Sequence, residues 1–274
     1  MSEGFQLDGQ GPHAYERYLV PAFFDPCAEM LLDLAAVQPG ERVLDVACGT
    51  GIVARRAAGR VGGDGRVVGV DVNDGMIDVA GSITAQEPDD CTVEWRRADA
   101  GALPLPDGAF DVVACQQGLQ FFSDVPGALG EMLRVLAPKG RLALGVWRDL
   151  GHHPAFGAMV RALDRHIGDE AAAIMRSPFA GPRRDELRRL LATSGYDKIE
   201  IRVGIVTVRF DSPREFLWEE VACTPLAEPV GAMDDRGRDA MVQDFEEMLW
   251  PFLDDDGVVF PMQTWLVTAG HRGS

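Results

Sequence analysis

The chain predicts an α/β protein: a seven-stranded, mostly parallel sheet with helices on both faces, an antiparallel last strand and helical lid insertions. Three observations carry this. Short apolar runs alternate with helix-patterned stretches from residue 42 to residue 147. Those runs are apolar on both faces, as strands are when helices cover the sheet on both sides. Beyond Trp147 the rhythm changes to two long β-branched runs separated by an acidic, helical stretch, which reads as a hairpin closing the sheet with a lid inserted in it.

The elements follow in order. A flexible leader reaches about Gly11, and a helical stretch over Ala14–Phe24 carries Tyr15, Tyr18, Phe23 and Phe24. Asp25-Pro26 reads as an N-cap with proline at the first helical position, opening a helix that repeats Met30, Leu31 and Leu34 until Pro39-Gly40 stops it. Strand-like runs fall at Arg42–Val46, Arg66–Val70, Val93–Arg97, Phe110–Cys115 and Arg141–Trp147. Helical patterns lie between them at Ile52–Ala58, at Met76–Ala85 and from the cap at Asp124 to Leu136, where the turn Ala137-Pro138-Lys139-Gly140 ends the last one. Then come an amphipathic helix over Pro154–Ile167, a loop over Ser177–Pro182, a helix over Asp185–Thr193, a strand over Lys198–Arg209 and a last strand over Val258–Thr268. The organisation is a helical cap over 1–40, a core over 41–147, further core helices and the sixth strand over 148–210, a lid over 211–256 and the closing strand over 257–274.

Composition narrows the function classes. With 274 residues, 46% apolar and 25% charged, the chain can bury a sizeable core and is not disordered. Its net charge of −17 leaves no basic footprint for nucleic acid and disfavours anionic membrane surfaces. The arginines 183, 184, 188 and 189 alternate with Leu187, Leu190 and Leu191 as the wet face of a helix. The longest uncharged stretch, Gly257–His271, is too short and too broken by Pro261 and Gly270 to span a bilayer. Met1–Gln10 contains Glu3 and Asp8 and no apolar region of the secretory kind. Cys27, Cys48, Cys91, Cys115 and Cys223 are scattered and odd in number, which reads as reduced thiols with neither a disulfide framework nor a zinc site. A cytoplasmic protein without membrane insertion is expected; the oligomeric state is left open.

The informative stretch is Val43-Leu44-Asp45-Val46-Ala47-Cys48-Gly49-Thr50-Gly51. A strand, a glycine turn and a helix bring bare backbone N–H groups to a helix N-terminus where a ligand can approach closely. The glycine spacing also satisfies the dinucleotide pattern, with Asp71 following at the expected ~20 residues. The motif alone therefore fits a nicotinamide enzyme and any other nucleoside-binding protein of this layout. Two features favour the second. Asp45 at the strand end would repel a pyrophosphate but tolerate an ammonium group, and Asp99-Ala100 after the third strand can read an exocyclic amine such as that of adenine.

At these residues the chain resembles the class I S-adenosylmethionine (SAM) methyltransferases, and closely their ubiquinone/menaquinone C-methyltransferase-like branch. VLDVACGTG is similar to the family's first motif, VVGVDVNDGMIDVA to its second-strand segment, RADAGALPLPDGAFDVV to its third, and EMLRVLAPKGRLAL to its later helix and fifth strand. The resemblance covers roughly residues 40–147. It implies a Rossmann-like sheet, SAM as cofactor and a small-molecule methyl acceptor. It further implies that Asp45 and the backbone of Ala47, Gly49 and Gly51 hold the methionine end, that Asp71 with Val72 takes the ribose hydroxyls, and that Met76 packs on the adenine. Asp99 and Ala100 would read the adenine edge, and Gln116 and Gln117 would line the sulfonium side. Ala47 departs from the pattern, since many members have glycine there.

Methyl transfer from an activated donor mainly requires alignment, which can supply roughly 7–11 kcal/mol. A general base is needed only for a neutral hydroxyl or a protonated amine, and would add about 10²–10⁴-fold. His152 and His153, just beyond the fifth strand, are the candidates for that role, although Pro154 starts a helix that His153 would merely cap. Tyr15 and Tyr18, spaced i, i+3 on a helix, would close over the site; Phe121 (with Phe122), Trp147 and Phe179 would wall an aromatic acceptor pocket. The insertion over 211–256 carries 14 acidic and 3 basic side chains, which read as a solvated lid face and, where any face inward, would favour a neutral or cationic acceptor over a phosphorylated one; Trp218, Phe245, Met248, Leu249, Trp250 and Phe252 give it an apolar side. The sequence thus points to a methyltransferase acting at O, N or C of a small, rather apolar molecule, a quinone precursor or a natural-product scaffold. Its rivals are an NAD(P)-dependent oxidoreductase sharing the glycine loop, against which the lack of a Tyr-x-x-x-Lys pair counts, and a SAM-binding regulator without turnover.

Overall fold

The computed structural model describes residues 7, 9–86 and 92–271. The leader, apart from Leu7, Gly9 and Gln10, and the thiol of Cys91 lie outside the described residues.

The sheet is built from β1 (Arg42–Val46), β2 (Arg66–Asp71), β3 (Val93–Arg97), β4 (Phe110–Gln116), β5 (Leu136–Trp147), β6 (Tyr196–Phe210), a two-residue β7 (Leu253–Asp254) and β8 (Gly257–His271). Along the sheet the order is β3-β2-β1-β4-β5-β8-β6, with β7 paired on β8 outside this path. The path therefore has the seven strands expected, and the short ribbon is an addition. β1 to β5 pair in parallel, while β8 runs antiparallel to both neighbours.

Strand periodicity divides the core. Leu44, Val46, Val68, Val70, Val113, Leu142 and Leu144 bury on one face, against α5 (Val125–Val135) and α8 (Arg184–Thr193). Val43, Val67, Val112, Ala114 and Ala143 point the other way, onto α2 (Asp25–Ala35) and α3 (Ile52–Val61). A third cluster, rich in phenylalanine, lies where α6 (Pro154–His166) and α7 (Asp169–Arg176) meet the insertion. Its Phe216 ring packs 4.9 Å from Phe210, 4.9 Å from Phe260 and 5.4 Å from Phe156.

The insertion is helical as expected, as α9 (Pro213–Ala222), α10 (Ala227–Gly231) and α11 (Asp235–Leu249). Ser212 caps α9 by accepting from the Glu215 N–H, and Asp234 caps α11 by accepting from the Gly237 N–H. Phe216, Leu217, Phe245 and Leu249 anchor this unit, but Trp250 is 75% exposed and contributes nothing to its apolar side.

Three local expectations need correction. Asp25 does not cap a new helix: the chain is already helical, running from α1 (Gly11–Ala14) through a π-helix over Tyr15–Phe24 directly into α2. The Asp25 carboxylate instead pairs with Arg56 of α3, with Nη2–Oδ2 at 2.6 Å. Ala137–Gly140 is not a separate turn; it belongs to β5, which pairs with β4 across a register shift between Phe110 and Val112. The helix after β2, α4, spans Asp74–Gln86 and so starts before Met76.

Candidate active site

Two adjoining cavities open at the C-terminal ends of the parallel strands, at the point where strand order reverses between β1 and β4. Open α/β sheets bind ligands at such a point. The larger, about 170 Å³, is walled by Phe23, Phe24, Phe121, Trp147, Phe156, Phe179 and Met262 among others. The smaller, about 50 Å³, is lined by Val72, Asp99, Ala100, Gly101, Phe122 and Ser123. Ala47, Asp71 and Phe122 belong to both, and Ala47 and Asp71 form the seam between them.

The glycine loop owes its shape to left-handed backbone. Ala47, Gly49 and Gly51 have φ of 56°, 55° and 90°. At Gly51 a Cβ would sit 2.2 Å from the Trp95 ring, so glycine here serves the packing of the loop on that indole. Ala47 adopts a conformation that disfavours a side chain, which explains the glycine preference seen at this position in the resemblance. Its methyl group is accommodated by Gly118, where a Cβ would approach Ala47 Cβ to 2.7 Å.

Asp45 is 1% exposed and lines neither cavity. Its Oδ2 accepts from the Ala54 N–H of α3 at 3.0 Å, while Oδ1 has no hydrogen-bond partner. Burial pushes its carboxyl up to about 8, against the Ala54 N–H, which lowers it. One oxygen thus caps the following helix while the other is left open, and a nearby ammonium would supply the missing partner of Oδ1. Asp71, at the end of β2, accepts from the N–H groups of Gly49 and Asn73, both at 2.9 Å. Burial raises its carboxyl above the ordinary range in spite of these bonds.

At the end of β4, Gln116 donates to the Phe24 carbonyl at 2.9 Å and Gln117, with φ 54°, donates to Thr264 Oγ1 at 3.1 Å. Each leaves its side-chain oxygen without a partner beside the larger cavity, and Gln120, which the sequence did not single out, leaves both amide atoms so. Unpartnered polar atoms on an otherwise apolar wall suit a polar, partly cationic ligand such as SAM. The seam at Ala47 and Asp71 suits a molecule spanning both cavities.

Met76 lines the larger cavity with Leu7 and Asn73, apart from Asp99 and Ala100 in the smaller. Tyr15 lines the larger cavity and Tyr18 does not. The i, i+3 spacing fails because the π-helix has a wider turn, which brings Tyr15, Leu19 and Phe23 to the cavity face. Tyr18 lies instead beneath Arg17, whose guanidinium is 5.1 Å from its ring centroid. Burial raises the Tyr15 phenol well above its ordinary value, and the carboxylates of Glu16, Asp71 and Asp45 reinforce the shift.

The two histidines do not reach either cavity. His153 is 0% exposed, with Nδ1 3.2 Å from Met262 Sδ and Nε2 3.2 Å from the Arg148 carbonyl, behind the wall formed by Trp147 and Phe179. Burial depresses its pKa to about 4. His152 turns away to Asp149 Oδ1 at 3.1 Å and Arg148 Nη2 at 2.5 Å. His153 is fixed in packing and the part-exposed His152 is held by Arg148 and Asp149, so the geometry brings neither ring to the cavities as a base.

A carboxylate that sequence reasoning passed over does line the larger cavity. Glu220 of α9 is 4% exposed, and burial pushes it up to about 8. Within the insertion's acidic run it was indistinguishable from its solvated neighbours. The only available signal was its place beside Val221 on the helix face that also carries Phe216 and Leu217.

Comparison with known proteins shows the family. A family described as a methyltransferase domain matches residues 44–144. A 2-phytyl-1,4-naphtoquinone methyltransferase of Synechococcus elongatus is 36% identical over 149 residues, covering 53% of this chain and 62% of that protein. A ubiquinone/menaquinone biosynthesis C-methyltransferase UbiE of Ectopseudomonas mendocina is 32% identical over 178 residues, covering 61% of this chain and 70% of that protein. The chain thus spans under two thirds of the first of these relatives and slightly more of the second. Among solved structures, phosphoethanolamine N-methyltransferase 2 of Haemonchus contortus in complex with S-adenosyl-L-methionine is similar in fold, with a TM-score of 0.61 at 18% identity over 96% of this chain and 57% of that one. The chain belongs to the class I SAM-dependent methyltransferases, in the branch of the ubiquinone/menaquinone biosynthesis C-methyltransferases.

Proposed function

We propose that the protein transfers a methyl group from SAM to an O, N or C nucleophile of a small, rather apolar aromatic molecule of the quinone-precursor or natural-product kind. The observation that carries this reading is the larger cavity. It is walled by aromatic rings and methionines, joined at Asp71 to the groove holding Asp99 and Ala100, and lined by no Lys, Arg or His among the described residues. Such a wall desolvates a flat ring well and an anionic group badly.

SAM brings an already activated methyl group. The chain's own residues bind, orient and exclude water. In this reading Asp45 Oδ1 takes the ammonium of the methionine end from behind the glycine loop, Asp71 takes the ribose hydroxyls, and Asp99 with the Ala100 N–H takes the adenine edge. Gln116 and Gln117 offer their oxygens where positive charge is to be held. Tyr15, Leu19 and Phe23 close the cavity from the N-terminal side, and α9 closes it from the insertion. A nicotinamide cofactor is disfavoured by the buried, half-satisfied carboxyl of Asp45 behind the loop that would have to cradle a pyrophosphate.

No helix among the described residues is long and apolar enough to cross a membrane. Cys27, Cys48, Cys115 and Cys223 are unpaired and buried, which supports a reducing compartment, and we place the protein in the cytoplasm. The net charge of −17 supports a small-molecule acceptor over nucleic acid.

The test is methyl transfer from radiolabelled SAM to paired acceptors: hydroxylated naphthalenes and reduced naphthoquinones, each with and without a phosphate. Transfer to the uncharged member of each pair supports the reading. Transfer confined to the phosphorylated members overturns it.

A further inference from the structure

The cavity contains one acidic side chain that cofactor binding does not use. Glu220 reaches it from the insertion, near Cys223 and Thr224 of the same segment and in a wall shared with Tyr15. Among the described residues, Asp45 and Glu220 are the only buried carboxylates. Asp45 has the Ala54 N–H, whereas burial and the charge of Glu219, with no hydrogen bond beside them, act on the Glu220 carboxyl. The adjacent Thr224 hydroxyl cannot satisfy it, because that hydroxyl donates to the Glu220 backbone carbonyl at 2.8 Å. The insertion is otherwise strongly acidic toward solvent, with carboxylates such as Asp244 and Asp254 engaged in ion pairs, so one carboxyl turned inward among phenylalanines stands apart. Burying an unpaired carboxyl is unfavourable, and such groups in clefts are candidates for function.

Resting on the methyltransferase reading above, we propose that Glu220 is the catalytic base of the reaction and that the acceptor presents to it a hydroxyl group on an aromatic ring. The acceptor's O–H bond breaks with its electron pair left on oxygen, and the proton goes to a Glu220 Oε atom. The oxygen then bonds to the methyl carbon as the carbon–sulfur bond of SAM breaks with its pair retained by sulfur, giving an aryl methyl ether and a neutral thioether. Glu220 releases the proton to solvent when the product leaves.

The chemistry selects this acceptor class. An aromatic hydroxyl titrates near ~10, close enough to a carboxyl raised to about 8 for proton transfer to be efficient. An aliphatic alcohol is far less acidic, and a neutral aryl amine attacks through its lone pair without prior deprotonation. The aromatic walls fit the ring, and no Lys, Arg or His among the described lining residues competes for a bound phenolate.

The groups facing Glu220 come from several packed elements. Its own helix supplies Glu219, which raises it, and Cys223 lies beyond. The π-helix supplies Tyr15, and β2 supplies Asp71 in the same cavity wall. Arg17 acts on Glu219. The buried side chains of α11 are Met241, Val242, Phe245 and Leu249, and those of β6 nearest the lid are Val206, Val208 and Phe210. Among the described residues the one charge acting on Glu220 itself is that of Glu219, so activity is expected to rise with pH toward about 8 as Glu220 loses its proton.

The test uses the full-length protein and Glu220→Gln, each saturated with S-adenosylhomocysteine, titrated at pH 9 with 1-naphthol and with 1-methoxynaphthalene, which has no proton to give. Wild type is expected to prefer the naphthol about tenfold, and the variant to lose that preference while binding S-adenosylhomocysteine unchanged. With 1-naphthol and SAM as substrates, the variant is expected to lose about 10²–10⁴-fold in turnover and the rise with pH, and Glu220→Asp to restore part of both. An equal naphthol preference in wild type and variant overturns the role of Glu220 while leaving the methyltransferase reading intact. Failure of wild type to bind S-adenosylhomocysteine overturns both.

Discussion

The Tyr15 ring lies directly over Gly49: a Cβ built on that glycine would stand 3.8 Å from the ring carbon Cε1 and 3.9 Å from the phenol oxygen. The N-terminal π-helix thereby covers the glycine loop, and it does so next to Asp71, which bonds the Gly49 N–H. Removing the ring exposes the loop to water without touching the sheet. Tyr15→Ala is expected to weaken S-adenosylhomocysteine binding about tenfold, or ~1.4 kcal/mol, in a calorimetric titration. Unchanged affinity would mean that the helix covers the loop without contributing to the bound state.

Asp45 couples stability to binding. Its folded carboxyl stands at about 8 against an ordinary 3.8, so the unfolded chain releases the proton first. The raised value makes its contribution fully present below 3.8 and lost progressively as pH rises through about 8. Asp45→Asn should therefore melt at a higher temperature than wild type at pH 8, with the difference shrinking toward pH 5. The same variant should bind S-adenosylhomocysteine at least ~10-fold more weakly, because the ammonium loses its counter-charge. A variant that is both more stable and equally tight would remove Asp45 from the ligand's partners.

His153 carries the opposite sign. Its folded pKa of about 4 lies below the ordinary 6.5, so the buried neutral ring contributes fully above pH 6.5 and that contribution disappears as pH falls through about 4. His153→Gln should flatten the acid limb of the stability profile between pH 6.5 and pH 4 while leaving the pH dependence of turnover above pH 6.5 unchanged. A lost limb in the rate profile would restore His153 to the chemistry.

Gly69 is paired in register with Trp95 across β2 and β3, and a Cβ there would lie 2.3 Å from the indole. The same indole meets Gly51 of the glycine loop, so one ring sits between two glycines. Gly69→Ala should cost roughly 1–3 kcal/mol by overpacking, read from urea unfolding. Trp95→Phe in the same chain should recover part of it; no recovery would show that the penalty arises elsewhere.

What the sequence made legible was whatever depends on local order. The β/α alternation from Arg42 to Trp147 follows from periodicity and turn residues, and the strands observed there lie within a few residues of the runs that predict them. The antiparallel hairpin of β6 and β8 was legible from two β-branched runs separated by a helical insertion. What escaped were features set by packing between distant segments. Pattern alone could not give the wide turn of the π-helix, which separates Tyr15 from Tyr18, nor tell Glu220 from Glu219, since one residue of helical rotation decides which enters the cavity. His153 misled because a histidine after a strand end looks catalytic until Met262, 109 positions away, packs on its ring nitrogen.

The central claim, that the seam at Ala47 and Asp71 binds SAM, is tested most directly by calorimetric titration of the wild-type protein and Asp71→Ala with S-adenosylhomocysteine. Binding in the micromolar range by wild type, weakened about 100-fold by loss of the Asp71 carboxylate, is the predicted result. No binding by wild type, or equal binding by the two proteins, would contradict it.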